Sequence, residues 1–169
     1  MNKKIRQYIG LLSAIFAYYI IHEGAHYFYS LSIGTFKQIN FIGLGVQIDV
    51  VADKMTSTQM SIFCLVGAVA TTLTSLLCVL VIDKIIKNNS KVFKAIMYYI
   101  TLALLFIDPI YLSIGYKFVG GGDMNGIQLM IPENIASILF GILLIINIFI
   151  FIKIVLPKYK LGFKGENDE

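Results

Sequence analysis

The chain has 169 residues, 57% of them hydrophobic and 14% charged, with a formal net charge of +4. Soluble domains carry about 25% charged residues, so this composition excludes a disordered chain, a coiled coil and a water-soluble nucleic-acid binder. It predicts an all-α membrane protein, with 1–169 forming one polytopic domain in a lipid bilayer and no nucleic-acid partner.

A helix crosses the hydrocarbon core with roughly 20 apolar residues, because it rises about 1.5 Å per residue over about 30 Å. Four segments meet that requirement, at about 7–33, 57–82, 92–118 and 134–156. Lys3, Lys4 and Arg6 precede the first. No small-residue cleavage site follows its apolar run, so the segment is expected to be a retained span and not a removed signal peptide.

The first span carries His22-Glu23-Gly24-Ala25-His26, which holds both histidines of the chain. On a helix, positions i and i+4 share a face, so both imidazoles can reach one ion. Zinc accepts imidazole nitrogens and, in catalytic sites, keeps a place for water. Zinc would lower the pKa of that water, and Glu23, adjacent to the ion but not bound to it, could take its proton as general base. His22 lies 16 residues past Arg6, roughly 24 Å along the helix and still within the bilayer. Burying a glutamate and two histidines there costs several kcal/mol unless they are paired or coordinating.

Between the first two spans, Val46, Ile48 and Val50 alternate with Gln47 and Asp49, and Ile39 and Phe41 flank Asn40. Gly43-Leu44-Gly45 supplies turn residues, which predicts a membrane-associated β-hairpin. Gly43, Gly45 and Val46 are candidate substrate-binding positions, because an open strand edge can pair with an extended peptide. An inert cover over the metal site is the other reading of the same hairpin.

Cys64 and Cys78 share the second span, roughly 21 Å apart along one helix, and cannot bridge each other. Gly67, Ala68, Ala70, Thr71, Thr72 and Ser75 give that span a small-residue surface suited to close helix packing. In the third span Asp108 precedes Pro109. This reads either as an N-cap at a break in the helix, or as an acceptor orienting a histidine, or as a metal ligand.

Two histidines leave a protease-type zinc site one protein ligand short, so a carboxylate is needed. The candidates are Asp49, Asp53, Asp108, Asp123 and Glu133. Asp123 is preferred. It follows Gly120-Gly121-Gly122, a backbone able to approach a buried site closely, and it opens a short helix ending near Pro132. The fourth span is uncharged over 134–152, and 164–169 reads as a flexible charged tail.

Eleven Lys and Arg residues flank the ends that share a side in a four-span topology, against Lys37, Lys54 and Lys117 on the other. By this asymmetry both termini are cytoplasmic. The same count puts His22, His26 and Asp123 at matching depth, toward the outside.

With these motifs the sequence resembles the site-2 protease family of intramembrane zinc metalloproteases, in its small branch lacking a PDZ domain. Besides the histidine motif, Asp108-Pro109-x-Tyr111 followed by Gly122-Asp123-x-x-Gly126 is similar to that branch's second motif, and Gly67-Ala68-Val69-Ala70-Thr71 to its small-residue motif. The resemblance implies that His22, His26 and Asp123 bind one zinc per chain and that Glu23 activates water. The common Leu-Asp-Gly form of the second motif is absent, leaving Asp108 as the alternative ligand. Thr71 or Thr72 stands where many members carry Asn. Family members commonly place the site nearer the cytoplasmic face, whereas the charge count here places it toward the outside.

The resulting expectation is a hydrolase of the cell membrane that cuts peptide bonds of membrane-anchored polypeptides. Substrate selection falls to the spans, the hairpin or a separate regulatory membrane protein. The alternative is a metal-binding membrane protein without proteolysis, a transporter or a regulatory homologue.

Overall fold

A computed structural model describes residues 2–43 and 45–164. Among them, four helices are long and apolar enough to cross a membrane: α1 (Lys3–Ser32), α2 (Ser57–Leu80), the helical run α4 (Lys91–Val119) and the run α6 (Glu133–Lys164). Two short helices complete the set, α3 (Ile82–Ile86) after α2 and α5 (Gly122–Ile127) before α6. Strands β1 (Phe36–Ile42) and β2 (Gly45–Val50) form an antiparallel hairpin between α1 and α2. Gly43 takes φ 61° at its tip, as primed hairpin turns require.

Local chemistry sets several boundaries. Asn2 caps α1 by accepting from the Lys4 N–H, and Ser90 caps α4 through Phe93. Thr56 and Gln59 form a reciprocal capping box at the start of α2, satisfying two N–H groups that a helix end leaves free. Side chains such as Phe16, Ile20, Leu73, Leu80, Ile138 and Ile145 are exposed along the long helices. A belt of this kind suits hydrocarbon better than water.

The core has two parts. Ile48, Phe63, Cys64, Leu112, Met124 and Ile127 pack together beside the hairpin end. Ile82, Ile85, Leu105, Val155 and Tyr159 pack at the opposite end, where the last turns of α6 lie against α3 and α4. Cys64 and Cys78 are both buried and free.

The expected break at Asp108-Pro109 does not occur. Helix continues through Pro109 to Ile110, then through a π-helical turn at Tyr111–Gly115 and a last turn at Tyr116–Val119. Proline has no N–H to give the Leu105 carbonyl four residues earlier. The buried Asn147 of α6 gives its side-chain N–H to that carbonyl instead, at 2.6 Å. Asn147→Leu should therefore cost about 1–3 kcal/mol by leaving a buried carbonyl unpaired. A lowered thermal midpoint in detergent is the readout.

The fourth helical run also passes its expected end at 156 and continues to Lys164, through a second π-helical turn at Phe151–Val155. Of the tail read as flexible, residues 165–169 lie outside the described residues.

Candidate metal centre

His22 and His26, one turn apart on α1, are both buried. Each spends one ring N–H on an outward partner. His26 Nδ1 donates to the Phe63 carbonyl of α2 at 2.6 Å, and His22 Nδ1 to Asp108 Oδ2 at 3.3 Å. Such bonds fix the tautomer and leave the Nε2 lone pairs pointing the other way. The two Nε2 atoms then face each other at 3.1 Å. Asp123 completes the group, with Oδ2 3.2 Å from His22 Nε2 and Oδ1 3.8 Å from His26 Nε2. One ligand atom from each of the three lies within 4.8 Å of the others, a group that could hold a metal ion. Three electron-rich atoms converging in a buried place repel one another unless a cation or shared protons lie between them.

Asp108 is on the far side of the His22 ring. It is buried, with Oδ1 accepting from the Tyr18 hydroxyl at 2.5 Å and Oδ2 accepting from both His22 Nδ1 and the Thr71 hydroxyl. Three donors thus hold a carboxylate that would otherwise be costly inside the helix bundle. Its contacts make it an orienting group for His22, and an N-cap role is excluded because the helix does not begin there.

Glycine places Asp123. Gly120 and Gly122 have φ values of 100° and 28°, conformations that other L-residues rarely adopt. A Cβ at Gly122 would also lie 2.5 Å from the Tyr111 hydroxyl, which donates to the Gly120 carbonyl at 2.9 Å. Farther along α5, Gly126 approaches the Cys64 sulfur so closely that no Cβ fits, and the Ser61 hydroxyl donates to the Ile127 carbonyl. This short helix is clamped onto α2 with Asp123 in its first turn.

The small-residue stretch of α2 does more than pack helices. A Cβ on Gly67 would lie 2.6 Å from His26 Nε2 and 2.7 Å from His22 Nε2, well inside van der Waals contact. Gly67 therefore makes the room in which the imidazoles meet. Gly67→Ala should push the rings apart and weaken metal retention by about 10- to 100-fold, the scale of other lost orienting contacts. Metal per chain after dialysis against a weak chelator is the measurement.

Glu23 is not among the converging atoms. Its Oε2 accepts the Ile48 N–H of β2 at 3.1 Å. That amide is thus turned away from β1, so the unpaired edge of β2 faces α1. Between them lies a cavity of about 420 Å³, whose walls include His22, Glu23, His26, Asp123, Gly45 and Val46. Gly43, at the hairpin tip, does not line it.

The other carboxylates considered are elsewhere. Asp49 pairs with Lys37 at 2.9 Å, and that lysine holds its carboxyl below the usual carboxylate range. Asp53 is exposed in a 3₁₀ turn, and Glu133 accepts from the Tyr116 hydroxyl at 2.6 Å. Sequence reasoning missed Tyr18, although its place one turn before His22 on the same helical face was a usable signal. It also missed the Phe63 carbonyl, for which no side-chain pattern exists.

No protein-family model, curated protein or solved structure matches this chain.

Proposed function

We propose that the protein is an intramembrane zinc metalloprotease of the site-2 protease kind, in the small branch without a PDZ domain, acting on membrane-anchored polypeptides. The observation that carries this reading is the convergence of His22, His26 and Asp123 beside a carboxylate, Glu23, that stays out of the ligand group. Tetrahedral zinc with ligand bonds of about 2.0–2.1 Å sets its ligand atoms roughly 3.3 Å apart, and two of the three separations here are 3.1 and 3.2 Å. The donor set, two imidazoles and one carboxylate, is that of hydrolytic zinc sites.

When bound, zinc would polarise a scissile carbonyl and make a water acidic near neutral pH. Glu23 would take a proton from that water and hand it to the leaving amine. A helical substrate hides its carbonyls in i→i−4 bonds, so it must open before attack. The free edge of β2 at Val46 offers backbone partners to the opened segment, and Gly45 lines the same cavity. The protein would be multi-pass in the cell membrane with both termini cytoplasmic, by its Lys and Arg distribution.

The test is metal content and cleavage on one preparation. About one zinc per detergent-purified chain is expected, with cleavage of a membrane-anchored reporter that stops on chelation and returns with zinc. Purification without any divalent metal would overturn the reading. Zinc without cleavage of any anchored reporter would favour the non-proteolytic alternative.

A further inference from the structure

Asp123 is the least settled of the three converging groups. Its Oδ1 stands 3.8 Å from His26 Nε2, whereas the other two separations are 3.2 and 3.1 Å. It lies in the first turn of the six-residue helix α5, directly after Gly120-Gly121-Gly122, a backbone with few conformational preferences of its own. Whatever fixes these glycines therefore fixes where the carboxylate points.

One side chain from another element reaches both ends of the glycine run. The Tyr111 hydroxyl of α4 donates to the Gly120 carbonyl at 2.9 Å and lies 2.5 Å from where a Cβ on Gly122 would be. No atom lies near the missing Cβ of Gly120, whose φ is 100°, so glycine is needed there for its conformation alone. At Gly122 the hydroxyl itself leaves no room for a side chain.

Tyr111 is held in its turn. It follows Asp108 by one turn on the same face of α4 and lines the cavity shared by His22, His26 and Asp123. It also opens the π-helical turn Tyr111–Gly115, whose wider hydrogen-bonded ring re-aims the chain that follows. Ser137 of α6 donates to the Ser113 carbonyl within that turn at 2.5 Å.

We propose that Tyr111 is the positioning residue for Asp123: its hydroxyl holds Gly120–Gly122 in conformations that only glycine adopts readily, and so keeps the carboxylate within coordination reach of both histidines. One turn of α4 then serves both halves of the metal centre, with Asp108 orienting His22 and Tyr111 orienting Asp123. The proposal rests on the metal reading above and is independent of proteolysis.

Zinc affinity of the full chain in detergent, measured by competition with a chelating dye, tests it together with the thermal midpoints of the metal-free and zinc-loaded forms. Tyr111→Phe removes one oxygen and should weaken zinc about 10- to 100-fold, the scale of other lost orienting contacts. The rise in midpoint that zinc brings should shrink accordingly. Tyr116→Phe is the matched control. Its lost hydroxyl donates to Glu133 at 2.6 Å, and the variant should keep wild-type affinity. Gly120→Ala, which meets no neighbouring atom, should weaken zinc as Tyr111→Phe does. The double variant should lose less than the product of the two single losses, because both act through one loop. Wild-type affinity in Tyr111→Phe, an equal loss in Tyr116→Phe, or an equal fall of the metal-free and zinc-loaded midpoints would each overturn the assignment. A wild-type chain that binds no zinc would overturn the metal reading as well, so the two failures are distinguishable.

Discussion

Glu23→Gln should lower cleavage by about 10²–10⁴-fold, the contribution of a positioned general base, while zinc per chain and thermal midpoint stay at wild-type values. The substitution separates two things the carboxylate does. Glutamine keeps an oxygen that can accept the Ile48 N–H, so the tie between α1 and β2 survives. It does not keep the ability to take a proton near neutral pH. Since Glu23 contributes no atom to the converging group, metal affinity has no reason to change. A carrier of metal ions needs ligands but no base, and would be unaffected by this exchange. Undiminished cleavage in the variant would remove Glu23 from the mechanism, and loss of zinc would mean that it supports the site in a way its contacts do not suggest.

The Ile48 bond has a second consequence. The amide that Glu23 accepts from belongs to the edge with which an extended substrate would pair. On the proposed reading, a substrate strand docked there would compete for backbone groups beside Glu23, which would bring the peptide and the proposed base to the same few ångströms of cavity.

Much of this was legible in the chain. The i, i+4 spacing of His22 and His26 follows from helical geometry alone, and strand alternation with glycines at the tip marked the hairpin. Asp123 was legible because three successive glycines next to an acid have little purpose in an ordinary turn. What escaped depends on contacts between distant segments. Asp108-Pro109 reads locally as a helix start, and the donor that replaces the missing proline N–H in the unbroken helix comes from Asn147, 38 residues after Pro109. Gly67 looked like a packing residue because nothing in α2 says that imidazoles from α1 will face it. The extension of α6 to Lys164 was hidden by Pro157. Val155, Tyr159 and Phe163 recur every four residues, the last two beyond the expected end, and their packing against α3 and α4 holds those turns.

Asp123→Asn should strip zinc during purification, whereas Asp108→Asn should retain it but yield it to a chelator about 10–100-fold more readily. The two aspartates stand on opposite sides of one ring. Asp123 faces His22 Nε2 and His26 Nε2, so its exchange removes the single anionic member of the converging group and leaves neutral donors around a divalent ion. Asp108 faces Nδ1, and its oxygens take three donors from His22, Tyr18 and Thr71. An amide offers one neutral oxygen and an NH₂ in their place, a weaker acceptor for His22 Nδ1 than a carboxylate, so His22 loses orientation without losing its lone pair. The difference should persist in cleavage: none with Asp123→Asn even when zinc is in excess, and partial recovery with Asp108→Asn under the same conditions. The reverse pattern, with zinc held in Asp123→Asn and lost in Asp108→Asn, would make Asp108 the ligand and require the His22 ring to turn over.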